Sequence, residues 1–334
     1  MHAVRLHAFG PAENLVLEET EDPEPGPGQV RIAVAAAGVH LLDTALRAGM
    51  TSAVHTAPAL PTVPGREVAG TVDALGEGTD PAWLGKRVVA HLGMVPGGYA
   101  ERAVVAAGKL HELPDGLDEA EAVAMIGTGR TTMGILQFAE PAPDDVVIVT
   151  SAAGGIGQLL VQYARNAGAT VVGLAGGAAK VARVRELGAQ IAEDYDDPAW
   201  PERVRTALDG RTATVLFDGV GGERARAGIG LLGRGGRHLV FGWSSTGLTG
   251  GGPLELDERE LAERGITSVP VLGPPMLERA GGPDPLRTLE ERSLAEAAAG
   301  RMVPAVQRFP LAEAAAAHRA LETRATMGKV VLIP

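Results

Sequence analysis

The strongest constraint on the fold of this chain lies at Val146-Val147-Ile148-Val149-Thr150-Ser151-Ala152-Ala153-Gly154-Gly155-Ile156-Gly157, followed by Gln158-Leu159-Leu160-Val161-Gln162-Tyr163-Ala164. An apolar β-branched run reads as a buried strand, the small residues as a tight turn, and the next stretch as a helix with an apolar face. A turn placed between a strand and a helix in this way is a cradle for a pyrophosphate. Main-chain N–H groups and the positive end of the helix hold the anion without a basic side chain. The first glycine of the usual G-x-G-x-x-G spacing is replaced by Ala152, leaving Ala-x-Gly-x-x-Gly. A doubly wound parallel sheet that binds a dinucleotide is therefore the expected core.

The rest of the chain is consistent with a soluble protein of two domains, the natural expectation for 334 residues. Net charge is −11, which disfavours a broad grip on nucleic acid or on an anionic membrane. There are no cysteines, so disulfides, thiolate nucleophiles and thiolate metal sites are excluded. Lysines are scarce among the basic residues, Lys86, Lys109, Lys180 and Lys329, so a lysine inside a motif attracts notice. The N-terminus lacks a charged-then-apolar leader, and no run approaches the roughly 18 apolar residues of a membrane span. A cytoplasmic location is the expectation.

Up to about residue 120 the chain alternates short β-like runs with Pro and Gly. These include 29–35, 68–75 and 87–91, with the segment Glu21-Asp22-Pro23-Glu24-Pro25-Gly26-Pro27-Gly28 as a loop. That spacing suggests a partly closed antiparallel barrel. From about 124 the rhythm becomes strand and helix in alternation. Strands are expected at 146–150, 170–174, 215–218 and 238–242, and helices at 180–187 and 201–208. A last helix at 311–321 and a strand at 329–333 close the chain. A Gly- and Pro-rich loop lies near 247–253.

Coenzyme identity is read at the end of the second strand, where an acidic residue binds the ribose hydroxyls of NAD. Here that position holds Ala175, with Lys180 and Arg183 nearby. A missing acid together with cations suits a 2′-phosphate, so NADPH is expected over NADH. The alternative for Lys180 and Arg183 is the solvated face of a helix.

Together these features resemble the medium-chain dehydrogenase/reductase superfamily, and within it the zinc-free NADPH:quinone oxidoreductase branch that includes zeta-crystallin. The similarity runs over nearly the whole chain. Gly38-Val39-His40-Leu41-Leu42-Asp43-Thr44 matches the early Gly-x-Asn-x-x-Asp segment, and Val63-Pro64-Gly65-Arg66-Glu67-Val68-Ala69-Gly70 the Pro-Gly-x-Glu-x-x-Gly signature. Gly97-Gly98-Tyr99-Ala100-Glu101, Gly129-Arg130-Thr131-Thr132, Asp194-Tyr195 and the tail Arg324-Ala325-Thr326-Met327-Gly328-Lys329-Val330-Val331-Leu332 follow in the family's order.

The resemblance implies a GroES-like catalytic domain at 1–123 and 270–334, and a Rossmann domain at 124–269. It implies a coenzyme held by Thr128, Thr131, Ala153, Gly154, Gly155, Ile156, Gly157, Gly176, Lys180, Tyr195, Gly219, Phe241, Gly242, Trp243 and Arg324. It places the nicotinamide in the cleft between the domains, and it implies a homodimer joined through the Rossmann domain. The reaction it implies is hydride transfer from NADPH to a quinone or an α,β-unsaturated carbonyl (enone).

The chain departs from the pattern in ways that bear on its chemistry. Zinc-dependent relatives carry a cysteine at the position of His40 and a histidine at that of Arg66. A guanidinium stays protonated and cannot ligate a metal, so no zinc is expected. Arg66 and Glu67 can also be read as a structural ion pair. The branch's asparagine position holds His40, while Ala45 and Thr51 stand where tyrosines are common. His40, Asp43 and Arg66 are the candidate catalytic residues. His40 is placed to stabilise charge on the acceptor and to donate a proton, with Asp43 orienting the site; the alternative for His40 is a structural histidine. His91 is a second candidate with a structural hydrogen bond as its alternative, while His55 and His111 are assigned to structure. Trp243 either walls the substrate site or packs. A protein that binds NADPH with little catalysis, as sensor or structural component, is the competing function. A zinc alcohol dehydrogenase is opposed by Arg66 and the missing cysteines.

Overall fold

The computed structural model describes residues 1–50, 58–93, 95–244 and 254–334. Thr51, His55 and the loop at 247–253 lie outside them. The chain forms two compact units, Met1–Thr128 with Pro304–Pro334, and Gly129–Val303.

The first unit opens with the strands β1 (His2–Leu6), β2 (Leu15–Glu19) and β3 (Gln29–Val39), then helix α1 (Leu41–Arg47). Strands β4 (Glu67–Leu75), β5 (Arg87–His91), β6 (Arg102–Ala106) and β7 (Leu110–Glu112) follow, then helix α2 (Glu119–Ala124). A π turn, Met125–Gly129, carries the chain across the boundary between the units.

The second unit runs α3 (Arg130–Leu136), β8 (Val146–Val149), α4 (Gly155–Asn166), β9 (Thr170–Ala175), α5 (Ala178–Glu186) and β10 (Ile191–Asp194). It continues with α6 (Trp200–Leu208), β11 (Ala213–Asp218), α7 (Gly222–Ile229), β12 (Leu232–Val240), α8 (Glu258–Arg264) and β13 (Thr267–Pro270). Helices α9 (Pro274–Ala280) and α10 (Pro285–Ala298) complete it. The chain then returns to the first unit with β14 (Val306–Pro310), α11 (Ala314–Glu322) and β15 (Lys329–Ile333).

In the first unit a seven-stranded sheet runs β14-β15-β3-β4-β5-β7, with β6 paired back on β3. It is antiparallel except for the parallel pair β14–β15. Closing strand β15 lies between β14 and β3, as its apolar run at 329–333 suggested. The second unit holds a six-stranded parallel sheet in the order β10-β9-β8-β11-β12-β13. All four residues of β8 are buried, as a central parallel strand covered on both faces requires. The order reverses between β8 and β11, and such a switch point is where doubly wound sheets receive ligands.

Two features differ from the sequence reading. The return to the first unit comes at Pro304, whereas 270 was expected. The reason is packing: Gly134 of α3 has no side chain, and a Cβ there would meet the Met276 sulfur of α9 at 2.2 Å, with Leu289 of α10 at 3.5 Å. These helices are seated on α3 and stay with the parallel sheet. Strand β12 begins at Leu232, not 238, because its run Gly233-Arg234-Gly235-Gly236 reads as a turn. The register explains it, since Ala213 pairs with Leu232 and Val215 with Arg237, so the glycines form a bulge within one strand. The short strands β10 and β13 were not expected.

Candidate active site

The expected strand, glycine turn and helix are present in the second unit. Strand β8 ends at Val149, and the turn passes through Ser151, whose φ is 51°, into α4 with Gly154 at the N-cap. A Cβ on Gly157 would lie 2.2 Å from the Ser151 carbonyl oxygen, so only glycine lets α4 begin this close to the strand. Ala152, standing in for the first glycine, is wholly buried and donates its N–H to Leu174 of β9 at 2.9 Å. Opposite it, a Cβ on Gly173 would still sit 3.4 Å from the Ala152 methyl, which shows how an alanine is accommodated. The opening N–H groups of a helix have no intrahelical partner. Here those of Gly155, Ile156 and Gly157 lie in the first turn of α4, with Ala153 in the turn before it, while the Gly154 N–H donates to the Ser151 carbonyl at 2.9 Å. The residues present thus fit a bound diphosphate.

The C-terminal ends of β11 and β12 supply a second wall. Asp218, fully buried, accepts through Oδ1 from Val220 N–H at 2.9 Å, Gly221 N–H at 3.0 Å and the Thr150 hydroxyl at 3.2 Å. Its Oδ2 meets His238 Nε2 at 3.2 Å, and His238 Nδ1 lies 2.8 Å from Ser268 Oγ. This chain of contacts fixes the turn containing Gly219. A Cβ on Gly219 would come within 2.5 Å of the Phe241 ring, and Gly242 and Trp243 follow directly. Trp243 remains 44% exposed, so it is not a core side chain.

At the end of β9 the structure adds groups that the local sequence did not show. Ala175 carries no acid, yet carboxylates arrive from β10 and the loop after it: Asp194 Oδ2 accepts from Gly177 N–H at 3.1 Å, and Asp196 lies against Gly176. Tyr195 packs at the same corner, while Lys180 lies on the first turn of α5. Arg183 pairs with Glu186 on the solvent side of α5 and belongs to the solvated face. Thr128 is buried in the π turn, Thr131 lies on α3, and Arg324 is exposed beyond α11 with φ 58°.

The candidate catalytic residues cluster in the first unit. His40 precedes α1, with its side chain one-quarter exposed, and its Nε2 lies 2.6 Å from Glu67 Oε1 in an ion-pair contact outside hydrogen-bond geometry. Glu67 has no exposed surface and takes the Lys329 ammonium at 2.8 Å on its other oxygen. Burial pushes the Glu67 carboxyl up, but His40, Lys329 and His91 together outweigh it and hold the group well below the usual carboxylate range.

Asp43 was expected to orient the site. It is 3% exposed and accepts from the His40 main-chain N–H at 2.8 Å and from the Tyr99 hydroxyl at 3.1 Å. Through the first of these contacts it positions the His40 backbone. Arg66 points its Nε toward Asp43 at 3.8 Å, and Glu67 makes ion pairs with His40 and Lys329. A cavity of about 350 Å³ lies beside α1, lined by Asp43, Leu46, Arg47, Pro64, Arg66 and Pro96 among others. His91 accepts from Gly93 N–H at 3.0 Å, the structural use considered for it, and His111 is buried in β7.

Lys329, His238 and His318 were not singled out as site residues. His318 of α11 is fully buried, with Nε2 3.1 Å from the Tyr99 hydroxyl, and burial pushes its pKa down to about 4, with Asp43 pulling upward and Arg47 downward. Lys329 carried a signal, as one of so few lysines set inside a motif. The two histidines carried none.

Among the described residues, no group of three or more His, Cys, Asp or Glu side chains is arranged to hold a metal ion. No described helix is long and apolar enough to cross a membrane.

Comparison with known proteins bears on this architecture directly. Residues 26–115 match the alcohol dehydrogenase GroES-like domain, and residues 155–274 match the family described as zinc-binding dehydrogenase. The quinone oxidoreductase of Pseudomonas aeruginosa is 32% identical over 333 residues, covering 99% of each chain. A 2-haloacrylate reductase of a Burkholderia species is 32% identical over 338 residues, covering 99% of this chain and 98% of its own. The crystal structure of Escherichia coli quinone oxidoreductase complexed with NADPH superposes with a TM-score of 0.84 at 27% identity over the full length of both chains. The chain belongs to the medium-chain dehydrogenase/reductase superfamily, in its quinone oxidoreductase branch, and is an oxidoreductase built from a GroES-like and a Rossmann-type part.

Proposed function

We propose that this chain is an NADPH-dependent, zinc-independent reductase of quinones or α,β-unsaturated carbonyls. The observation that carries this reading is the glycine turn at the start of α4, which is closed to any larger residue at Gly157 and puts a helix N-terminus at the end of β8. The named relatives support the acceptor class, because a quinone and an acrylate both present a double bond conjugated to a carbonyl group. The donor set supports the absence of zinc. The chain has no cysteine, and Arg66 replaces a ligand with a permanent cation.

When bound, the coenzyme supplies a hydride. The residues of the chain supply everything else. Main-chain groups of Ala153 to Gly157 hold the diphosphate, with Thr128, Thr131, Gly219, Phe241, Gly242, Trp243 and Arg324 proposed along the rest of the coenzyme. Reduction leaves negative charge on the acceptor oxygen, which needs a donor. His40 fills that role and then gives up a proton. The ionised Glu67 beside Nε2 complements a positive imidazole, and Asp43 holds the His40 backbone in place. Arg66 adds positive charge at the cavity beside α1. A homodimer through the second unit is part of the same proposal, with the edge strand β13 as its seam.

His40→Ala and His40→Gln are expected to lower kcat at least tenfold on 1,4-benzoquinone or an enone, the scale of lost acid–base help. Full turnover in both variants would remove His40 from the mechanism. A second reading rests on Ala45, which leaves α1 without the phenol common in the branch. In that reading the chain binds NADPH with little catalysis, and tight binding without turnover on a panel of quinones and enones would favour it.

A further inference from the structure

We infer that Asp196 and Arg224 form a charge gate that selects the coenzyme by its 2′-phosphate. This rests on the proposed coenzyme reading and deepens it.

In a doubly wound sheet the adenosine ribose lies at the end of the second strand. Here that end is Ala175, followed by Gly176 and by Gly177 with φ 86°. No side chain from these residues can reach a ribose hydroxyl. The space above Gly176 is filled from the neighbouring loop, since a Cβ there would lie 2.8 Å from Asp196 Oδ2 and 3.1 Å from the Tyr195 ring. Asp194 pins that loop, accepting from Gly177 N–H at 3.1 Å and from Asp196 N–H at 3.0 Å. The carboxylate that faces the ribose position is therefore Asp196.

Alone, Asp196 would accept ribose hydroxyls and repel a phosphate. It is not alone. Arg224, on the first turn of α7, pairs with Asp196 through Nη2, and its Cζ lies 4.7 Å from the centre of the Tyr195 ring. The guanidinium is thus stacked and oriented within reach of the corner where a 2′-phosphate would arrive. Its planar fork suits phosphate oxygens better than an ammonium does. The Asp196 pair is solvent-exposed, 30% on the arginine and 51% on the aspartate, and pairs of this kind contribute little. Exchange of Asp196 for a dianionic phosphate is therefore easy, with Tyr195 keeping the guanidinium in place. Without the phosphate, the pair closes and Asp196 is neutralised.

The test is calorimetric binding of 2′,5′-ADP and 5′-AMP to the full chain, which differ only in the 2′-phosphate. The wild type is expected to bind 2′,5′-ADP more tightly. Arg224→Ala should weaken 2′,5′-ADP at least tenfold while leaving 5′-AMP within twofold, and Arg224→Lys should recover only part of the loss. Asp196→Asn should tighten 2′,5′-ADP severalfold. Equal weakening of both nucleotides in Arg224→Ala, or no change in either, overturns the gate and leaves an ordinary surface ion pair. Tighter binding of 5′-AMP by the wild type also overturns it, while the coenzyme reading stands for NADH. If the wild type binds neither nucleotide nor NADPH, the coenzyme reading itself falls, and the gate with it.

Discussion

Glu67 is buried between two glycines for a geometric reason: a Cβ on Gly38 would lie 2.3 Å from one of its oxygens, and a Cβ on Gly127 would lie 1.4 Å from the other. The motif made Glu67 legible in the sequence. That it pairs with Lys329 was not, because 262 residues separate them. The same holds for His318, whose only sequence context is an alanine-rich helix. If the Tyr99 hydroxyl donates to Asp43, its oxygen takes a proton from His318 Nε2, and His318 Nδ1 is left without a partner among the described residues. A neutral imidazole fits that arrangement. Its folded pKa near 4 lies below the unfolded 6.5, so the unfolded chain binds the extra proton. The stability it contributes is therefore complete above pH 6.5 and is lost as pH falls toward 4. The shift corresponds to about 3 kcal/mol at 1.36 kcal/mol per pH unit. His318→Gln should flatten the dependence of Tm on pH across that window, and an unchanged slope in the variant would refute this account.

At the scale of elements, periodicity recovered the strands that are long or wholly apolar. β5 and β15 fall where expected, and β8 and β9 differ by one residue at an end. What escaped was structure decided by neighbours. β12 reads as a turn until its bulge is set against β11, and β13 is a short edge strand aligned by β12. These strands are also tied by polar contacts, from Ser268 through His238 to Asp218 and then to the turn at 219–221. His238 and Asp218 have no exposed surface, so a broken link leaves a buried polar atom unpaired. His238→Leu is expected to cost about 1–3 kcal/mol of stability, and Ser268→Ala less. A double-mutant cycle of the two by denaturant unfolding should show coupling; strict additivity would mean that the chain of contacts does not act as one unit.

At the scale of the molecule, the chain leaves its first unit at Thr128 and returns to it only at Pro304. The return is structural, since β15 enters between β14 and β3 and brings Lys329 to Glu67. Removing residues 329–334 would open that sheet and leave the buried Glu67 charge without its ammonium, a loss of roughly 3–5 kcal/mol from the pair alone. In such a truncation, hydrogen exchange should speed up across β3 and β4 while the amides of β8 and α4 stay protected. Uniform loss of protection in both units would show that they do not fold separately.

By itself the sequence determined the parallel sheet, the glycine turn at α4 and the family, because each rests on residues close along the chain. Steric limits of backbone and periodic burial act over a few residues and leave their mark in local pattern. Only the tertiary structure decided which charges meet: Lys329 with Glu67, His318 with Tyr99, and His238 with Asp218. Burial turns such meetings into fixed charge states and fixed turns, and burial is a property of the packed chain that no short stretch of it carries.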